Sequence, residues 1–273
     1  LETLDNVLDQ YYTDPLYAEY FFGVVSKVTD LGKYDWFLEP SAGTGSFFQL
    51  LEPTKRIGLD LEPKYPDIEH QNFLEWEPPR GRILTIGNPP FGKNASMAVN
   101  FFNCAARFSD TIAFILPRTF RKRSVIKRLN ETFHRVWDET VPERSFIFEH
   151  APYDVWSCAQ IWQRRTYARP VVKPLSIDLL SDWFVRTTPA NATFAFQRVG
   201  ARAGTIKTDN LLLLSKESHY FFEIKREDTL RFFEALSFED IKKNTAGNPS
   251  IALSEIVEVW FRQYPDIRFD TLM

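Results

Sequence analysis

Only two cysteines, Cys104 and Cys158, occur in this 273-residue chain, and they lie far apart. With no second pair, neither a disulfide framework nor a zinc ligand set is supported, and a reducing, intracellular setting is expected. Long apolar runs are missing too: none approaches the roughly 20 residues that cross a bilayer. The first ten residues, LETLDNVLDQ, are acidic and lack the basic start of a signal peptide, so the chain reads as soluble, with no membrane partner and no metal. Internal repeats and low-complexity tracts are also absent.

Aromatic side chains are plentiful, at 15% with 25 Phe, within a hydrophobic share of 44%. That composition and length suit one large α/β domain, alone or with a small appendage. Charge is unevenly spread. Residues 1–80 hold fifteen acids against six bases, and the remainder twenty-seven bases against twenty-one acids. The basic second part suggests a polyanionic partner. Its densest cluster is Arg118, Arg121, Lys122, Arg123, Lys127 and Arg128, with no acid between them. A solvated surface is the plainer alternative.

Four short apolar runs read as parallel strands stopped by Pro, Gly or an acid: DWFLEP (35–40), KRIGLD (55–60), RILTIGN (82–88) and DTIAFILP (110–117). GSFFQLLE (45–52), SMAVNFFNCAARF (96–108) and SVIKRLNETF (124–133) carry helical spacing between and after them, the pattern of an open sheet with crossover helices. SFIFEH and SCAQIWQRR are expected to close the sheet as an antiparallel pair. From about Pro170 the pattern changes. FAFQRVGARAGTI and HYFFEIK read as strands about a glycine-bearing turn, and DTLRFFEALSFEDIKK and SIALSEIVEVWFRQY as helices.

FLEPSAGTGSF places Gly43 and Gly45 between a strand and a helical segment, where backbone N–H groups can meet a nucleotide-like ligand. The dinucleotide pattern would need a third glycine where Phe48 stands, which disfavours close passage of a pyrophosphate. Asp60 ends the next strand, placed to accept two ribose hydroxyls. A glycine loop and a ribose acid without pyrophosphate recognition suit a nucleoside with a charged tail, such as S-adenosylmethionine, whose ammonium Glu39 is positioned to bind.

NPPF, residues 88–91, follows the third strand. An exocyclic amino nitrogen on adenine or cytosine is a poor nucleophile because its lone pair is delocalised into the ring. The Asn88 side-chain oxygen and the Pro89 carbonyl can grip both of its N–H bonds and aim the lone pair at a methyl sulfonium. Pro89 and Pro90 fix φ and remove competing donors, and Phe91 offers a face to a base rotated out of its stack. A rigid strand end is the plain alternative.

In YYTDPLYAEYF, FLEPSAGTGSF, GLDLEP, QNFLEW, NPPF and AFILPRTF the chain resembles the amino-group (N6-adenine or N4-cytosine) S-adenosylmethionine-dependent methyltransferases. Within them it is similar to the subgroup whose cofactor loop precedes the catalytic tetrapeptide. The similarity spans about residues 11–165. It implies a Rossmann-like class I methyltransferase fold, with a doubly wound, mostly parallel seven-stranded sheet and a small C-terminal extension. Residues 1–170 would form the catalytic domain and 171–273 a substrate-recognition extension packed on it.

By that resemblance Tyr12 and Thr13 cover the cofactor's methionine end. Glu39, Pro40 and the loop Ser41, Ala42, Gly43 and Gly45 bind its amino-acid part, Asp60 binds ribose, and Leu61 and Phe73 flank adenine. The family usually has Asp before that Phe for the adenine amino group. Here Asn72 stands instead, and its amide oxygen can still accept. Tyr153, or alternatively Trp156, would sandwich the flipped base opposite Phe91. Arg118, Arg121, Lys122 and Arg123, and later Arg198, Arg202 and Lys207 on the glycine-bearing turn, are candidate phosphate contacts. The leading expectation is N6 methylation of adenine in DNA, in a cytoplasmic or nucleoid-associated protein. A looser similarity to cap-adenosine methyltransferases keeps RNA open, beside cytosine N4, a protein glutamine amide, and a non-catalytic nucleic-acid-binding module.

Overall fold

The computed structural model describes residues 11–245 and 247–266. The chain divides into two compact units, Leu1–Pro170 and Val171–Met273.

The first unit begins with the short strand β1 (Tyr12–Thr13) and helix α1 (Pro15–Val28). The Asp14 carboxylate accepts the amides of Leu16 and Tyr17, Pro15 starts the first turn, and Tyr17, Ala18, Phe21 and Val25 make one buried face. The elements that follow are β2 (Trp36–Glu39), β3 (Arg56–Asp60), β4 (Glu69–His70), β5 (Ile83–Gly87), α2 (Ser96–Ala105), β6 (Ser109–Pro117), α3 (Arg123–Ile126), β7 (Phe133–Thr140), β8 (Phe146–Phe148), β9 (Ala151–Tyr153) and β10 (Ser157–Arg164). Seven strands form one sheet in the order β4-β3-β2-β5-β6-β10-β7. β4, β3, β2, β5 and β6 pair in parallel, and β10 runs antiparallel to both its neighbours. This is the Rossmann-like, mostly parallel sheet expected from the sequence, with the strand order of the class I methyltransferase fold.

Alternation along β6 explains why the sheet is covered on both faces. Ile112, Phe114 and Leu116 join one core cluster with α2, while Ala113 and Ile115 join another with α1. Chain direction across the sheet reverses between β2 and β5, so their carboxyl ends, with that of β3, open on a crevice.

Three expectations need correction. Residues 45–52 form only a 3-10 turn, Phe48–Leu50, because Gly43 and Gly45 hold positive φ (47° and 81°) and the Glu39 carboxylate takes the Phe48 amide. In 124–133 the helix stops at Ile126. The Asn130 side chain accepts from Thr132, and the Arg169 guanidinium gathers the carbonyls of Ile126, Leu129, Asn130 and Phe133, which a longer helix would have used. Finally, β10 pairs with β6 and β7, while β8 lies in a separate small sheet between β1 and β9.

The second unit is a four-stranded antiparallel sheet, β11 (Phe184–Arg186), β12 (Phe194–Gln197), β13 (Ile206–Lys207) and β14 (His219–Ile224), in the order β11-β14-β12-β13. Helices α4 (Thr229–Glu234), α5 (Glu239–Lys242) and α6 (Leu253–Gln263) follow it. Its core is strongly aromatic: Trp183, Phe184, Phe194, Phe196, Phe222, Phe233 and Trp260 pack together, and Trp183 and Trp260 meet edge to face at 5.2 Å. Among the described residues no helix is long and apolar enough to cross a membrane.

Candidate active site

The carboxyl ends of β2, β3 and β5 border a cavity of about 300 Å³, within the range of small-molecule sites. β2 contributes Pro40 and Ser41 with Gly43 beyond them, β3 contributes Asp60 and Leu61, and β5 contributes Asn88 and Pro90. Asn72 and Phe73 close another wall, and Tyr12 the edge by β1.

The loop after β2 is shaped by close backbone approach. A Cβ on Gly43 would stand 2.7 Å from Tyr12 Cε1, and one on Gly45 2.9 Å from Tyr65 Cγ. Both also sit at positive φ, which only glycine adopts without strain. Asp60 fastens this loop: its Oδ2 accepts the Gly43 amide at 2.7 Å and its Oδ1 the Glu62 amide at 2.7 Å. On the facing side, Asn88 Nδ2 donates to the Tyr11 carbonyl at 2.9 Å, and Ser41 Oγ donates to the Asn88 carbonyl at 3.2 Å. The glycine loop and the tetrapeptide are thereby tied together.

Other chosen residues stand elsewhere. Glu39 is buried, and its Oε2 accepts the Phe48 amide at 2.6 Å, so the carboxylate serves the loop and does not line the cavity. Burial pushes its pKa well above the usual carboxylate range, the Phe48 hydrogen bond pulling the other way and the Asp60 charge adding to the rise. Thr13 is buried, and its carbonyl accepts Ser46 Oγ. Ala42 packs with Phe48 and Ile68. Gly45, Pro89 and Phe91 are also off the cavity wall, Phe91 packing partly into the cluster beneath α1. Asn72 lines the cavity, but its Oδ1 accepts the Leu74 amide at 3.1 Å and caps the short turn Phe73–Glu75. Phe73 is both a wall and a core residue, packed on Phe101.

Tyr153 is 44% exposed and stacks on Tyr11 at 5.0 Å and 13°, with Phe148 at 5.6 Å from its ring. Since Tyr11 lines the cavity, these three rings make an aromatic rim. Trp156 takes part through its carbonyl, which accepts the Arg118 amide.

The basic segment departs most from expectation. Arg121 is bound to Asp138 through Nε (2.8 Å) and Nη2 (2.5 Å), and to Thr140 through Nη1. Arg118 donates to the Ser157 carbonyl, and burial, with the nearby Arg121 charge, lowers its pKa. Arg121 is structural here, because Asp138 of β7 neutralises it, while Arg118 is anchored to β10 by one carbonyl and keeps its charge. Lys122 and Arg123 flank the start of α3. In the second unit Arg198 donates to the Glu217 carbonyl and lies 5.0 Å from the Tyr220 ring centroid, Arg202 is exposed, and Lys207 ends β13.

Glu62, Gln71, Leu74, Met97 and Phe101 also line the cavity and were not foreseen. Met97 and Phe101 are one helical turn apart on α2, a spacing that marks a shared face but not what that face covers. Gln71 and Leu74 flank residues already singled out. Among the described residues, no group of three or more His, Cys, Asp or Glu is disposed to hold a metal ion.

No protein-family model matches the chain, and no curated protein matches it. Among solved structures, it is similar to a candidate RNA methyltransferase of Pyrococcus horikoshii, with 18% identity over 60% of this chain and 93% of that one and a TM-score of 0.46. A candidate class I S-adenosylmethionine-dependent methyltransferase of Listeria monocytogenes gives 16% identity, 63% and 65% coverage, and a TM-score of 0.45. The 23S rRNA methyltransferase ErmE gives 17%, 59% and 72%, and 0.42.

Proposed function

We propose that the chain is an S-adenosylmethionine-dependent methyltransferase acting on the exocyclic N6 of adenine in nucleic acid, with DNA as the first substrate to test. The observation that carries this reading is the meeting of the glycine loop, Asp60 and Asn88 around one cavity. The residues present fit the cofactor. Gly43, with no side chain, lets the Tyr12 ring close the loop edge of the cavity, and Leu61, Phe73 and Phe101 offer apolar walls to a heterocycle. Each Asp60 oxygen has taken one backbone N–H, and a carboxylate has about four acceptor positions, enough for two ribose hydroxyls as well.

S-adenosylmethionine supplies an electrophilic methyl group. The chain's own residues must hold the nucleophile. With Asn88 Nδ2 given to the Tyr11 carbonyl, Oδ1 is the atom left to accept an N–H from a substrate amino group. The Pro89 carbonyl is the second acceptor in this reading, and the pair polarises the amino nitrogen as it attacks. A base in a duplex reaches such a site only by leaving its stack, and the Tyr153–Tyr11–Phe148 rim offers it aromatic faces.

The test is transfer of tritium from methyl-labelled S-adenosylmethionine to duplex DNA, single-stranded DNA and RNA, followed by nucleoside analysis. Label in N6-methyladenine of DNA is expected. Label in RNA, or in N4-methylcytosine, would move the assignment to that substrate, and no transfer to any of them by a cofactor-binding chain would overturn it.

A further inference from the structure

Gln71, Asn72 and Phe73 are three successive residues of the cavity wall. Gln71 is held beside Asp60: its backbone amide donates to the Asp60 carbonyl at 2.9 Å, one residue beyond the β3–β4 pair of Asp60 with His70. Its side chain is half-buried, and among the described residues nothing hydrogen-bonds the terminal amide. Asn72 differs. Its Oδ1 accepts the Leu74 amide, and because a backbone N–H can meet only the oxygen, Nδ2 is the atom left to meet a ligand. The wall therefore offers an uncommitted acceptor, Gln71 Oε1, next in sequence to a donor, Asn72 Nδ2.

We propose that Gln71 recognises the purine edge of the cofactor, its Oε1 accepting the exocyclic amino N–H while Asn72 Nδ2 donates to a ring nitrogen. This rests on the cofactor reading above and adds to it a residue that none of the motif positions marks. Adenine sets a donor, its 6-amino group, beside a ring acceptor, and side-chain amides match that pair with one oxygen and one nitrogen. The division between the two residues follows from the turn. Asn72 Oδ1 caps Phe73–Glu75 and is held there, whereas no such contact fixes the Gln71 amide. Both side chains are neutral, so their hydrogen bonds to the purine contribute modestly and respond little to salt.

Calorimetric titration of the full chain with S-adenosylhomocysteine, and with its analogue bearing hydrogen in place of the 6-amino group, tests this without requiring turnover. Wild type should prefer the amino ligand by about threefold to tenfold. Gln71→Met should bind the two alike. Gln71→Glu, which keeps an acceptor, should retain the preference. Asn72→Ser, which keeps a cap for the Leu74 amide, should weaken both ligands by a similar factor and leave their ratio unchanged. A preference that survives Gln71→Met, or that is lost in Gln71→Glu or Asn72→Ser, would overturn the Gln71 assignment and leave the cofactor reading standing. So would a wild type that binds both ligands equally. A wild type that binds neither would overturn the cofactor reading itself, and this inference with it.

Discussion

The carboxyl ends of β2, β3 and β5 and the basic segment 118–128 lie at the ends of strands in the same sheet, yet they use their polar residues differently. At the former, Asp60 and Asn88 border a cavity while bracing the backbone around it. In the latter, Arg121 is spent on Asp138 and Thr140, and Arg118 and Arg128 are each tethered to a carbonyl, of Ser157 and Asn94. The contrast separates two kinds of sequence signal. A glycine, acid or Asn-Pro-Pro tied to a strand end is a geometric constraint, since the strand fixes where the residue must be. A run of cations is only composition, and any acid brought near by the fold can absorb it.

Asn88→Ala should break the comparison most severely. Losing one preorganised acceptor should slow methyl transfer on the order of 100-fold or more, with S-adenosylmethionine affinity little changed, as read by single-turnover assay beside calorimetry. Asp60→Ala comes next. It removes two proposed ribose contacts and frees the Gly43 and Glu62 amides, so cofactor binding should weaken by about 2–3 kcal/mol; unchanged affinity would remove the ribose role.

The basic segment should behave oppositely. Arg121→Ala should cost about 2 kcal/mol in urea unfolding, because Asp138 is left with Arg135 and Gln160 alone, while the salt dependence of nucleic-acid binding stays as it was. Lys122→Ser with Arg123→Ser should flatten that salt slope by up to about two counterions. Unfolding unaffected by Arg121→Ala would contradict the structural role assigned to Arg121.

Glu39→Gln sharpens the contrast between two neighbouring acids by the smallest effect. The folded state holds the Glu39 pKa above its ordinary 4.5, so its contribution to stability is full below that value and is lost as pH rises through the folded-state pKa. Gln keeps an acceptor for the Phe48 amide and cannot ionise, so its melting temperature should fall less than that of wild type as pH rises. Parallel profiles for the two chains would contradict the assigned burial.

The same division explains what could be read from the sequence. The parallel strands of the sheet's centre were legible because β2, β3, β5 and β6 are apolar runs ended by Pro, Gly or acid. β7 was not: FHRVWDET carries Arg135 and Asp138, which pair with each other, and Asp138 also takes Arg121 and Gln160 from many residues away. Helical spacing in 45–52 was real but lost to the positive-φ glycines and the Glu39 hydrogen bond. Around the cavity, Tyr12, Pro40, Ser41, Gly43, Asp60, Leu61, Asn72, Phe73, Asn88 and Pro90 were reachable from motif positions, whereas Met97 and Phe101 sit on a helix face that core packing explains equally well. The inward turn of Glu39 depends on where the Phe48 amide falls, a tertiary detail that spacing does not carry.

The central claim is that the cavity at the ends of β2, β3 and β5 holds S-adenosylmethionine beside Asn88. Photolabelling the wild-type chain with tritiated S-adenosylmethionine, followed by peptide mapping, tests it most directly. The account predicts label in peptides carrying Tyr11 and Tyr12 or Phe73, suppressed by excess S-adenosylhomocysteine. Competable label confined to residues 171–266, or no competable label at all, would contradict it.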